Sequence, residues 1–346
     1  MSEQKQTLRA RLVPIYRSLR EIGFDVLPPF LTRLISRYVI MPIVLHWKLH
    51  LTSGAWPVRL STLSELDDAI NQADGSKSDD ELRALLGSIY YDHQRVMPSD
   101  PFSAEYKAAV MQDYLDISGR VSYDAALNEK SDFDFEHIKD QPFPYFTQST
   151  RTLGEQLMMQ GFVIRAVSFK PGCSILEFGP GWGNTTLHLA QSGFRVTAVD
   201  VFEGFTRLIQ YRAAQLKLNI KVIQSDMLDF QPQQKYDVIL FFECFHHCAD
   251  HLQMLQRLHD MLHDDGIVVF GAEPISPQGA PWGIRKDGMA VWSIRKFGWF
   301  ELGFRQDYFL AALQNFGWYG EIMASCDIPS CNVVIARKKK RKHDHI

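Results

Sequence analysis

Three carboxylates stand at or just beyond the ends of successive apolar runs: Glu177 in SILEF (174–178), Asp200 closing VTAVD, and Asp226 just past KVIQ (221–224). Directly after Glu177 comes GPGWG, which places Gly179, Gly181 and Gly183 at alternate positions. One acid at a strand end means little, but three beside an alternating-glycine turn describe a crevice with a negative wall. The turn does not suit a phosphate. Asn184 stands where a dinucleotide fingerprint has its third glycine, and no Gly-Lys-Ser/Thr follows. Glu177 would repel a phosphate and attract a cation. Asp200 can accept from two ribose hydroxyls and Asp226 from an adenine amino group, with Met227 covering the ring. A cationic adenosine without phosphates meets all of these demands, and S-adenosylmethionine is such a molecule.

A second group follows the next apolar run. FFECFHHCAD places Glu243, His246 and His247 beside the expected sulfonium methyl. That methyl is already activated, so the protein has to align a nucleophile and, for a hydroxyl or an acidic carbon, remove a proton. Neutral imidazole, with a pKa of about 6.5, suits that task, which makes His246 and His247 the candidate bases. Glu273, in GAEP, is a further candidate base or substrate ligand. Cys244, Cys248, His247 and His251 have no second pair at metal-ligand spacing. Cys326 and Cys331 belong to a final hairpin about three strands away, or roughly 14 Å, and no metal is expected.

These residues need a scaffold. SILEF, RVTAV (195–199), KVIQ, YDVILFF (236–242) and GIVVFGA (266–272) read as strands, with helical stretches near 184–192, 203–217 and 249–262. Alternation of this kind makes an α/β domain with a mainly parallel sheet and crossover helices. GEIMASC and CNVVIAR are joined by DIPS, too short for a helical crossover, so the last pair must be antiparallel. In such sheets ligands lie beyond the carboxyl ends of the strands, where the three acids are.

EFGPGWG, VTAVD, QSDM, YDVILFFECFHH and the terminal strand pair together resemble the class I S-adenosylmethionine-dependent methyltransferases over about residues 165–340. The resemblance implies a Rossmann-like, seven-stranded, mostly parallel sheet with the last strand antiparallel. It also implies a cofactor site at Glu177, Gly179, Gly181, Gly183, Asp200, Asp226, Met227 and Glu243. PYFTQSTRTLGEQ (144–156) looks like the segment that leads into the domain in cyclopropane fatty acid synthases, which implies that Tyr145, Thr147 and Gln148 meet the methionine end. The extended pattern is similar to methyltransferases of surface polysaccharide synthesis. That likeness implies O-methylation of a saccharide or lipid-linked glycan, with lipid carbon methylation or cyclopropanation as the alternative. A non-catalytic adapter is disfavoured by the intact acids, and a nicotinamide oxidoreductase by the missing third glycine.

Around that domain (141–340) the chain divides into a mainly helical N-terminal extension (1–140), an insertion (274–304) and a basic tail end (341–346). NQADGSKSDD (71–80) reads as a loop, and 81–130 has helical periodicity. The insertion is aromatic and carries Arg285, Lys286, Arg295 and Lys296, with Arg305 just beyond it. This suggests a large, partly anionic substrate, or else a small core covering the sheet. Residues 1–50 hold eight Lys/Arg against three acids (+5), and 61–140 hold 18 acids against seven Lys/Arg (−11). RKKKRK (337–342) closes the chain. The overall charge of −3 argues against wholesale nucleic-acid binding. The basic ends suit peripheral contact with an anionic membrane face. With no apolar leader and an odd cysteine count, the expected location is cytoplasmic.

Overall fold

The computed structural model describes residues 57–141, 149–325 and 331–339. The early basic region and the last residues of the basic tail lie outside these. Pro57–Ile346 forms one compact unit. Its centre is a seven-stranded sheet of β3 (Ser174–Phe178), β4 (Arg195–Asp200), β5 (Lys221–Gln224), β6 (Tyr236–Phe242), β7 (Leu262–Gly271), β11 (Trp318–Ala324) and β12 (Asn332–Lys338). Their order is β11-β12-β7-β6-β3-β4-β5. β3 to β7 are parallel, and β12 runs antiparallel to both β7 and β11. This is the Rossmann-like methyltransferase sheet. β3 is buried along its whole length, as a strand covered on both faces must be. β7 starts at Leu262, four residues before the expected GIVVFGA, because Leu262 pairs with Tyr236 ahead of an irregularity in register. The preceding helix therefore stops at Met261.

Before the sheet come β1 (Val58–Leu60), α1 (Leu63–Asp74), α2 (Asp79–Leu86), β2 (Ile89–Tyr91), α3 (Ala104–Ser118), α4 (Ala125–Asn128) and α5 (Phe135–Ile138). The loop read at 71–80 begins later than expected. Thr62 and Glu65 form a capping box that starts α1, and the helix runs to Asp74. Ser78 then caps α2. The helical pattern read through 81–94 breaks at Gly87, where β2 pairs in parallel with β1. Among the sheet crossovers, α6 (Thr150–Val167) leads into β3, α7 (Asn184–Gln191) and α8 (Glu203–Gln215) flank β4, and α9 (His251–Met261) precedes β7.

The insertion folds on itself as β8 (Ile275–Ser276), β9 (Trp282–Ile284), α10 (Gly288–Lys296) and β10 (Leu302–Arg305), followed by α11 (Gln306–Asn315). Its three strands make a separate small sheet, β8-β10-β9. Tyr106, Tyr114, Trp282, Phe300 and Phe304 from the extension and the insertion share one continuous apolar core with Phe241 and Phe270 of the main sheet. The small-core reading of the insertion is therefore the observed one. Its cations are spent inside the molecule: Arg295 forks onto Asp67 at 2.7 and 2.9 Å, and Lys296 meets Asp74 at 2.5 Å. Lys286 lies 3.6 Å from Asp113, Arg285 binds Asp287, and Arg305 binds Asp307. The acidic middle of the chain answers Lys286, Arg295 and Lys296 of the insertion, while Arg285 and Arg305 pair with acids two residues further along.

Candidate active site

The ends of β3, β4 and β6 open into a cavity of about 280 Å³. Its cofactor side is lined by Gly179, Gly181, Asp200, Asp226, Met227 and Glu243, all expected from the sequence. Gly179 has φ +56, and a Cβ there would lie 2.6 Å from that of Cys244, so the loop can pass β6 only as glycine. Gly181 has φ +53, and no atom lies within 4 Å of where a Cβ would stand, which leaves its backbone open to a ligand. Asp200 accepts from the amides of Gly181 at 3.1 Å and Phe202 at 2.9 Å. Burial nevertheless raises its pKa to about 6. Asp226 accepts from the Leu228 amide at 2.6 Å, and burial shifts its pKa upward as well.

Two expected cofactor residues lie elsewhere. Glu177 is buried under the loop, where its carboxylate accepts from the Thr186 hydroxyl at 2.5 Å. It is not part of the cavity wall, and burial raises its pKa to about 7. Gly183 also stands back from the wall, packed over Ile209. Both hold the loop in shape. Tyr145, Thr147 and Gln148 lie outside the described residues. α6 does reach the site, since Gln156 donates to Glu243 at 2.9 Å.

The catalytic candidates separate clearly. Residues 245–247 form one 3-10 turn after β6. Glu273, fully buried, accepts from the amides of Cys244, Phe245 and His246 at 2.9, 2.8 and 3.2 Å, and holds His246 Nδ1 at 2.8 Å. Glu273 is a clamp on the turn and does not face the cavity, which corrects the reading of it as a base or substrate ligand. His246 is buried beside it and also lies off the wall. His247 alone of the pair lines the cavity. Its Nδ1 is 2.8 Å from the Phe300 carbonyl oxygen, so Nδ1 carries the proton and Nε2 the lone pair. Burial lowers both imidazoles to about 4, so both are neutral at pH 7.

Sequence reasoning missed the acceptor side. Tyr123, Glu129 and Ser131 of the extension, with Trp182 and Trp299, complete the wall. Glu129 lies 3.3 Å from His247 Nδ1, accepts from Tyr123 at 2.9 Å and from the Phe300 amide at 2.7 Å, and is raised to about 7 by burial. Trp299 donates to the Lys130 carbonyl at 2.9 Å. A negative segment 40 to 50 residues before the glycine turn is visible in the sequence, but nothing local marks Glu129 within it.

Residues 175–266 match the model of a methyltransferase domain family. The chain is similar to (S)-coclaurine N-methyltransferase of Thalictrum flavum subsp. glaucum, 29% identical over 128 residues that cover 36% of each chain. Pavine N-methyltransferase of the same plant is 24% identical over 208 residues, 56% of this chain and 58% of that one. The chain thus spans between a third and three-fifths of these relatives. Among solved structures, Burkholderia thailandensis 1,6-didemethyltoxoflavin-N1-methyltransferase with bound S-adenosylhomocysteine superposes with a TM-score of 0.41 at 16% identity, covering 54% of this chain and 79% of that one. Residues 175–266 are thus similar to a methyltransferase domain family, and they lie in a Rossmann-like sheet whose crevice presents Asp200, Asp226 and Glu243 at its wall.

Proposed function

We propose that the whole protein transfers the methyl group of S-adenosylmethionine to a hydroxyl of a saccharide or lipid-linked glycan. The observation that carries this reading is the join at one cavity between two halves. One is the cofactor wall of Gly181, Asp200 and Asp226; the other is the neutral His247 with Glu129 beside it. A hydroxyl needs a partner for its proton as it attacks the sulfonium methyl, and the His247–Glu129 pair offers one at the acceptor end. Trp182, Trp299 and Tyr123 provide flat faces for the C–H surface of a sugar, and Ser131 and Glu129 can take its hydroxyls. Among the described residues the cavity wall carries no lysine or arginine, which suits an acceptor group that is itself uncharged.

The same lack of wall cations, with Glu129 and Glu243 present, favours one second reading: methylation of an amine, whose ammonium form these carboxylates would bind. Two measurements test the proposal. Calorimetry with S-adenosylhomocysteine should show one saturable site. Incubation with methyl-labelled S-adenosylmethionine and separated oligosaccharide, lipid and amine fractions should label the oligosaccharide. Label in the amine fraction alone would select the second reading, and label in lipid chains alone would select carbon methylation.

A further inference from the structure

His246, His247 and Glu301 form a cluster that methyl transfer to a hydroxyl does not by itself require. One ring nitrogen of each histidine and one Glu301 oxygen all lie within 4.8 Å of one another. Glu273 fixes the proton of His246 on Nδ1, so Nε2 turns a lone pair toward Glu301 Oε2 at 3.7 Å. Such a facing pair is bridged either by a proton on the carboxyl or by a metal cation. Glu129, Glu273 and Glu301 surround the two imidazoles. Arg285 is close by, but its Nε and Nη2 hold Asp287 at 2.9 and 3.0 Å. Only its Nη1 reaches Glu301, at 3.4 Å.

We propose that His246, His247 and Glu301 bind a first-row divalent metal ion, of the zinc, cobalt or manganese type, just behind the cavity wall that His247 lines. Two imidazoles and a carboxylate suit such ions better than magnesium or calcium and leave coordination positions open. Donor atoms on one ion sit about 3–3.5 Å apart, given metal–ligand bonds of about 2.0–2.2 Å, so the trio closes by about 1 Å. The Glu273–His246 bond is the outer carboxylate contact that orients a ligating imidazole. The chemical use of the ion rests on the methyltransferase reading. The ion would hold the His247 ring at the cavity wall, and Glu129 beside it would take the acceptor's proton as the acceptor oxygen bonds to the methyl carbon and the sulfur–methyl bond breaks, its electron pair staying on sulfur. The other three-donor set, His93, Asp113 and Asp116, is already met by Arg95 at 2.6 Å from Asp113 and by Lys286, so it has no need of an ion.

The test uses untagged, full-length, chelator-treated protein titrated with Zn²⁺ in a calorimeter and with Co²⁺ in a spectrometer. One equivalent should bind. Glu301→Gln and His246→Ala should each weaken binding at least about tenfold, and His93→Ala should leave it unchanged. In the wild-type cobalt form, proton NMR should show two exchangeable, hyperfine-shifted imidazole N–H signals, a readout that does not depend on a variant folding. Absence of saturable binding, equal affinity in His246→Ala, or fewer than two such signals would overturn the site. S-adenosylhomocysteine titrated into the same chelator-treated protein separates the two ideas. Zn²⁺ binding without nucleoside binding would end the methyltransferase reading and leave the metal site standing.

Discussion

Asp200 receives two backbone amides, yet burial holds its pKa near 6. A ribose diol is bound by the ionised form, so nucleoside affinity must rise with pH through that value. From pH 7.5 down to pH 5, S-adenosylhomocysteine should bind about tenfold more weakly, and binding at pH 6 should release protons. Calorimetry in two buffers of different ionisation enthalpy measures both. Asp200→Ala should cost about tenfold or more in affinity and flatten the pH dependence; unchanged affinity would mean that the ribose contact is misassigned. Glu177 shows where reading residues one at a time falls short. Its acidity and position were legible, but its direction was not: in a strand buried on both faces it points to Thr186 and is not part of the cavity wall. Glu273 is the same case, an acid at a strand end spent on three amides and an imidazole.

At the level of elements, the glycine turn and the FHH turn fit against each other. Gly179→Ala would put a methyl 2.6 Å from the Cys244 Cβ in a left-handed conformation. It should destabilise the protein by about 1–3 kcal/mol, measured by urea unfolding, and weaken nucleoside binding in step. The strands of the main sheet were readable because each is a short apolar run bounded by turn residues, and the antiparallel end followed from a four-residue connection. β2 was not readable, because its partners are β1, about 30 residues earlier, and Asp287, nearly 200 residues later. No local periodicity records such pairings. The early start of β7 escaped for a related reason, since Asp264 and Asp265 look like turn residues and lie in the irregular stretch between the Tyr236–Leu262 and Val238–Ile267 pairs.

At the scale of the whole molecule, the part of the charge asymmetry that falls on described residues has an internal counterpart. The acidic 61–140 region meets the basic insertion through Asp67–Arg295, Asp74–Lys296 and Asp113–Lys286. Because Asp67 and Arg295 are partly exposed, a double-mutant cycle with alanine should give a coupling of only about 0.5–1 kcal/mol. The aromatic contacts should weigh more. Tyr114→Phe leaves the buried Gly298 carbonyl without the hydroxyl that bonds it at 2.6 Å and should cost about 1–3 kcal/mol in thermal or urea unfolding.

The acceptor end of the cavity is a joint product of two distant stretches of chain. Trp299 rests on the carbonyl of Lys130, a partner 169 positions away, and the Phe300 amide is seated on Glu129. A new acceptor therefore cannot be accommodated by altering either stretch alone. Grafting the 274–304 segment from a related protein without its matching 123–131 segment should yield a chain that still holds nucleoside but has lost its choice of acceptor.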